Sequence, residues 1–324
     1  MRTVLFHANL RNFRGAHLKL WDYFGHVLAA PGFTPRISFT AKTRWDASNP
    51  WLNARKYVVD DPNTVDVGLF FLGGRRWEQA EQHPSWGPDT PVLSFVQHVH
   101  HADPANERYQ YLSRPAIRVC VAEEVGTALR ATGIVRGPLI VISNGIDLGD
   151  VIPETAVEPD VDVLIAALKR PELGLRLLTR LEGKGRRVRL LTERLHRSEY
   201  LRRLQRARVT LFLPNDTEGF YLPALEGLAA GTLVVCPDCI GNRGFCRPGS
   251  TAFVPSFAVD DLAAATESAL ALPDEEAARM RANALAMAGE YSVERERSAF
   301  HDVLEHIDRL WLEARAGDVT ALAR

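Results

Sequence analysis

The residues best placed to do chemistry are two glutamates with seven residues between them, Glu218 and Glu226, in the run Leu211-Phe-Leu-Pro-Asn-Asp-Thr-Glu-Gly-Phe-Tyr-Leu-Pro-Ala-Leu-Glu-Gly227. An apolar run ends at Leu213 and polar residues follow. Pro223 then fits the first turn of a helix, where its missing N–H would have had no partner. This pattern predicts Glu218 in a loop and Glu226 within a helix. The free N–H groups of Gly219, Phe220, Tyr221 and Leu222 at the helix start form an anion site, and Gly219 admits close backbone approach. A carboxylate on either side of such amides suits a ligand carrying both phosphate and hydroxyls, as an activated nucleotide does. The same spacing also fits an ordinary helix whose acidic residues answer its dipole.

Three further constellations invite a chemical reading. The stretch Pro91–Gln97 runs into His98, His100 and His101; on extended geometry His98 and His100 share one face and His101 takes the other. Imidazoles are common metal ligands, but no carboxylate lies at ligand spacing on the same element, so no metal is expected there. Asp160-Val-Asp162 has the form of a metal-binding Asp-x-Asp, yet it opens a strand and reads as a strand-edge cap. Cys236, Cys239 and Cys246 have partly zinc-like spacing, but a closed site takes four ligands and Cys120 falls in the other half of the chain. Free thiols are expected, with Gly241-Asn242-Arg243 in the same loop facing the site.

The elements that must position these groups follow from periodicity. Strands are read near Thr3–His7, Arg36–Thr40, Asp66–Leu72, Pro91–Gln97, Ile117–Ala122 and Leu139–Ile142, with helices at Ala16–Ala29 and Glu123–Ala131. Asn144-Gly-Ile-Asp147 is a turn signal, and the acidic, Pro-containing Val151–Pro159 suits a linker. A second series has strands near Val161–Ala167, Val188–Thr192, Val209–Pro214, Leu233–Cys236 and Thr251–Val254. Its helices fall at Pro171–Glu182, Ser198–Ala207, Pro223–Ala230 and Asp260–Ala271, and Asp274–Gly289 and Val293–Ala316 end the chain. Alternation of this kind predicts an α/β fold of two Rossmann-like domains facing each other across a cleft, with a C-terminal helical tail. The domains are placed at 1–150 and 151–292, and the tail at 293–324.

The segment from Glu218 through Gly231 to Val235 resembles the E-x7-E region of retaining glycosyltransferases of the GT-B fold, family 4 type, also called glycosyltransferase group 1. Val141-Ile-Ser-Asn-Gly-Ile-Asp147 is similar to that family's inter-domain signature. The resemblance implies transfer of a sugar from a nucleotide-sugar co-substrate to an acceptor hydroxyl, with retention and without metal or another cofactor. It implies that Glu218 contacts donor sugar hydroxyls near the reacting carbon, that Glu226 accepts hydrogen bonds from the ribose, and that the Gly219, Phe220 and Tyr221 amides hold the diphosphate. His98 matches the family histidine that approaches the donor sugar, and Gly15 is the single glycine where the family has a phosphate-approaching pair. The family adds an Arg and a Lys a few residues apart; here Lys169 and Arg170 are adjacent, and Leu173 stands where the Lys would align. The tail would pack back toward the first domain. In the first domain Lys19 and Asp22 on the first helix, and Arg75, Arg76, Trp45, Trp51 and Trp77 in loops, are candidates to shape an acceptor pocket or to pack.

Composition bounds the partners. In 324 residues, 46% hydrophobic and 24% charged, a net charge of -1 excludes a polybasic binder as a description of the whole chain. Yet residues 165–208 hold 14 basic against four acidic residues, a local excess of 10. That stretch would suit peripheral contact with an anionic membrane or a lipid-phosphate acceptor, while nucleic acid is disfavoured as a partner. The acceptor class stays open among glycan, lipid-linked and small-molecule hydroxyls. Four cysteines, a short N-terminal apolar run and no apolar stretch of about 20 residues lead to the expectation of a cytoplasmic protein. Two other readings remain on the same residues: an epimerase or phosphorylase, and a non-catalytic anion-binding module.

Overall fold

The computed structural model describes residues 1–11, 13–152 and 157–317. The chain forms two compact units, Met1–Ser143 with the segment from Glu296 onward, and Asn144–Arg295. Of the linker read at Val151–Pro159, residues 153–156 lie outside the described residues.

In the first unit the elements run β1 (Arg2–Ala8), α1 (Gly15–Ala29), β2 (Phe33–Phe39), β3 (Leu69–Gly73), α2 (Trp77–Glu81), β4 (Val92–Val96), β5 (Ile117–Cys120), α3 (Glu123–Arg130) and β6 (Leu139–Val141). Among the described residues the strands make one parallel sheet in the order β2-β1-β3-β4-β5-β6. Strands such as Leu-Phe-Phe-Leu in β3 and Val-Leu-Ser-Phe-Val in β4 are buried at every position, as parallel strands covered on both faces require. Between β2 and β3 the chain makes short 3-10 turns, started by Asn49 and Asp61, whose side chains accept from Trp51 and Asn63 N–H.

In the second unit α4 (Leu148–Val151) is followed by β7 (Val161–Ala166), α5 (Pro171–Glu182), β8 (Val188–Leu191), α6 (Arg197–Gln205), β9 (Ala207–Phe212), α7 (Leu222–Ala229), β10 (Leu233–Val235), β11 (Ala252–Phe253), α8 (Val259–Leu270) and α9 (Asp274–Gly289). The strands again lie parallel, ordered β11-β10-β9-β7-β8. Ile165 and Leu211 on the sheet, with Leu177 and Leu181 from α5 and Leu262 from α8, make its core. The turn at Asn144–Asp147 packs on residues 291–293 of the same unit: Ile146 N–H donates to Tyr291 at 2.8 Å and Val293 N–H returns to Ile146 at 3.0 Å. A Cβ on Gly145 would sit 2.3 Å from the Ser292 carbonyl oxygen, so only glycine permits this approach.

The sequence pattern reads Val293–Ala316 as one helix; it is two, α10 (Val293–Glu305) and α11 (Ile307–Ala316). They part at His306 (φ −100°, ψ 14°), where the ring Nδ1 and the backbone N–H both turn to the Asp302 carbonyl. From Glu296 onward these helices are built into the first unit. Phe300 meets Tyr23 of α1 edge-on, with ring centroids 4.8 Å apart, and Trp311 donates to Pro88 O at 2.8 Å. Beneath Phe300 lies a charged cluster. Lys19 Nζ is 2.5 Å from Glu296 and 2.7 Å from Asp22, and His26 Nε2 is 2.8 Å from the other Glu296 oxygen. The Glu296 side chain has 0% exposure and that of Lys19 has 1%. Burial works against both carboxylates; the His26 hydrogen bond and Lys19 nevertheless hold Glu296 below the usual range, while for Asp22 burial prevails and raises it. Thus Lys19 and Asp22 belong to this internal cluster.

Removing one partner of a buried ion pair leaves the other uncompensated. Glu296→Ala is expected to lower unfolding stability by about 3–5 kcal/mol in urea denaturation. A loss under about 1 kcal/mol, the scale of an exposed pair, would contradict this account of the tail.

Candidate functional site

In the second unit three loops meet at the carboxyl ends of neighbouring strands: 167–170 after β7, 213–221 after β9 and 236–246 after β10. Open parallel sheets characteristically bind ligands at such ends. Lys169 Nζ lies 3.1 Å from Glu218 Oε1, which also accepts from Asn215 Nδ2 at 3.1 Å. The Glu218 side chain is 16% exposed and that of Lys169 is 45% exposed, so both can be reached from solvent. Arg170 is used differently. Its Nε donates to Pro214 O at 2.8 Å, its Nη2 meets Asp216 at 2.5 Å, and its guanidinium lies 4.1 Å over the Phe257 ring. Arg170 therefore braces the 214–216 loop, while Lys169 is the cation beside Glu218. Leu173, at the place of the family lysine, packs against the apolar core.

The amide set differs from the sequence reading at one position. Tyr221 N–H donates to Gly241 O at 2.9 Å and is not available to an anion. Among the described residues the N–H groups of Gly219, Phe220 and Leu222 find no acceptor, so three of the four amides remain open and the set is interrupted at Tyr221. Gly241 is why: a Cβ there would lie 2.7 Å from both Glu218 O and Phe220 N. The next residue, Asn242, is buried and fixes the loop, donating to Pro237 O and Cys236 Sγ and accepting from Cys239 N–H. Arg243 is paired with Asp238.

Glu226 lies in α7, 4% exposed, with Arg197 Nη1 of α6 at 2.6 Å. Arg197 also approaches Asp150 at 4.0 Å. Sequence reasoning missed Arg197, since nothing in its spacing separates it from the other arginines of the basic stretch.

In the first unit the Gln97 side chain reaches Ala16 O at 3.5 Å, bringing the end of β4 to the start of α1, where Gly15 is the first helical residue. Residues 99–102 form a 3-10 turn, so the extended alternation expected for the three histidines stops at His98. His98 Nδ1 accepts from His100 N–H at 3.2 Å, and the two rings stack at 4.0 Å. Burial chiefly, with the nearby charges of Arg108, His98, Arg118 and His100, lowers the pKa of His101 to about 3. Of the aromatics expected in loops, Trp77 instead opens α2 and Trp51 lies in a 3-10 turn, and both are buried and pack; Arg55 covers Trp45, and Arg75 pairs with Glu107.

The four cysteines are free and buried, and burial pushes Cys120 up to about 12. Among the described residues no group of three or more His, Cys, Asp or Glu side chains is arranged to hold a metal ion. Asp162 accepts from Arg187 N–H at 2.9 Å and pairs with Arg187 and Arg208; burial alone would raise it, but those contacts hold it below the usual carboxylate range.

Residues 156–287 match the family model described as Glycosyl transferases group 1. The second unit carries a Glycosyl transferases group 1 domain. No curated protein sequence gives a significant match. The chain is similar to a solved glycosyltransferase from Rickettsia africae at 13% identity and TM-score 0.73, over 94% of this chain and 98% of that one. It is likewise similar to sucrose-phosphate synthase from Thermosynechococcus elongatus (14%, TM-score 0.69, 94% and 99% covered) and to Anabaena HepE solved with UDP-glucose (14%, TM-score 0.71, 94% and 100% covered). The fold is that of GT-B glycosyltransferases. Among the described residues no helix is long and apolar enough to cross a membrane.

His101 gives a direct check on the site's electrostatics. Its folded pKa lies below the unfolded value of about 6.5, so the unfolded chain takes the proton first and this group withdraws stability as pH falls from about 6.5 toward about 3. In an NMR titration its ring signals should stay those of neutral imidazole at pH 5; a midpoint near 6.5 would contradict the desolvation of this half-buried ring.

Proposed function

We propose that the protein is a retaining, metal-independent glycosyltransferase that moves a sugar from a nucleotide-sugar donor to an acceptor hydroxyl. The observation that carries this reading is the convergence of Lys169, Glu218 and the open N–H groups of Gly219, Phe220 and Leu222 at the carboxyl ends of β7 and β9, inside the matched domain. A diphosphate is a dianionic leaving group that needs positive counter-charge, and the lysine and fixed amide dipoles supply it. Lys169 would exchange its contact with Glu218 for the phosphate, freeing Glu218 to accept from the sugar hydroxyls. Glu226, held by Arg197, would accept from the ribose. On the first unit the reading assigns His98 to the sugar and Gly15 to the phosphates.

In this mechanism the glycosidic bond to the diphosphate breaks as the leaving oxygen takes the proton of the incoming hydroxyl on the same face. The protein contributes orientation and charge stabilisation, with no covalent intermediate. Solved neighbours described with UDP-glucose, or with UDP and GlcNAc, favour a uridine-type donor as the first to test. The acceptor would be a glycan, a lipid-linked sugar or a small molecule.

A thermal-shift panel of nucleoside diphosphates and nucleotide sugars should raise the melting temperature for one of them, since a ligand at about 100 Kd adds about 2.7 kcal/mol. With the donor so identified, Glu218→Ala should lower kcat roughly 100-fold or more while leaving the fold intact. EDTA should leave the rate unchanged, and the anomeric configuration of the first-formed product, read by NMR, should match the donor's. Full activity in Glu218→Ala, or no nucleotide that stabilises the protein, defeats the proposal.

A further inference from the structure

At the opposite end of the second sheet, the amino ends of β7, β8 and β9, lies a second cationic feature that the donor site does not use. A cleft of ≈ 120 Å³ is bounded by Arg189, Arg202, Arg203 and Arg206 with Asp160 and Glu199. This is several times the roughly 30 Å³ share of one water, so a phosphate group fits. Four guanidiniums face two carboxylates, a local charge of +2. Arg202 meets Glu199 through Nη2 at 2.7 Å and Arg203 through Nε at 2.8 Å. Arg206 meets Asp160 through Nε at 3.1 Å, and Arg189 is 3.9 Å from the same oxygen, too far for a hydrogen bond. Glu199 thus orients two guanidiniums and Asp160 one; Arg202 Nε also donates to Ser198 O at 3.4 Å, most of the remaining donors are uncommitted, and among the described residues the Arg189 guanidinium makes no hydrogen bond at all. Next to the cleft Arg187 and Arg208 share Asp162, extending the same ratio of two guanidiniums to one carboxylate.

Forked guanidiniums held by short ion pairs are suited to tetrahedral oxyanions, which accept several charge-assisted hydrogen bonds at once. We infer that this cleft is a second anion site, separate from the donor loops, that binds a phosphate-bearing ligand. The length of β7, about 20 Å at some 3.3 Å per residue, divides it from Lys169 and Glu218. The phosphate is either free in solution or the head group of an anionic phospholipid, and the two sources make the same contacts with Arg189, Arg202 and Arg206.

The test compares the full chain with Arg202→Ala/Arg206→Ala, in which each carboxylate keeps one arginine, and with Arg176→Ala/Arg180→Ala, which removes the same charge from α5. Arg189→Ala serves as a second probe that breaks no hydrogen bond. Inorganic phosphate is titrated by 31P NMR at low salt, and flotation is measured with vesicles of phosphatidylglycerol in phosphatidylcholine. Circular dichroism melts verify folding. The site predicts at least tenfold weaker binding in the Arg202/Arg206 variant, and weakening in Arg189→Ala, with little change in the α5 control. Loss with phosphate alone identifies a soluble phosphate compound; loss of vesicle flotation identifies the lipid head group. Equal weakening in the cleft and control variants, or no change in either assay, overturns the inference.

Discussion

The first unit depends on a charge that has nowhere to go but inward. The carboxylate of Glu296 is sealed from water, and sealing an unanswered carboxylate would be far too costly for a domain of ordinary stability. Lys19 and His26, one turn and then two turns along α1, answer it from a helix on which Asp22 is the lysine's other carboxylate partner. The requirement is mutual, so α1 and the tail are each incomplete without the other. Because α1 begins at Gly15, beside the end of β4, the same contact fixes the start of the helix on which the first unit's candidate residues depend.

In the second unit, each of the two candidate carboxylates already has a cation, and the two differ in access. Glu218 is paired with an exposed, flexible lysine that can leave when a more highly charged anion arrives. Glu226 is buried and held by Arg197 through one short contact, Nη1 to Oε1 at 2.6 Å, with the same guanidinium also drawn toward Asp150. The first pair is built to exchange partners and the second to hold geometry.

Much of this was legible in the sequence. The strand ending near Leu213 and the helix with Pro223 in its first turn follow from local rules, and so does the loop position of Glu218. What escaped depends on residues distant in sequence. Tyr221 loses its amide to Gly241, twenty positions on, and no periodicity reveals that the loop after β10 folds against the loop after β9. Arg197 is marked out among the basic residues only by the packing of α6 on α7. The histidine run misled for a local reason: the strand stops at Val96, so alternation no longer applies where a 3-10 turn begins.

The arginine-lined end of the second sheet has a consequence for solubility. β8 is the outer strand, and its outward backbone is a template on which another chain could add a strand. It is only four residues long, carries half-exposed Arg189, and is preceded by Arg187, tied to Asp162. The opposite edge, β11, has two residues, and in the first unit the outer strand β2 includes Pro35, which offers no N–H. Two parallel sheets with apolar interiors are thus kept from lengthening into intermolecular ones by short, charged or donor-poor borders.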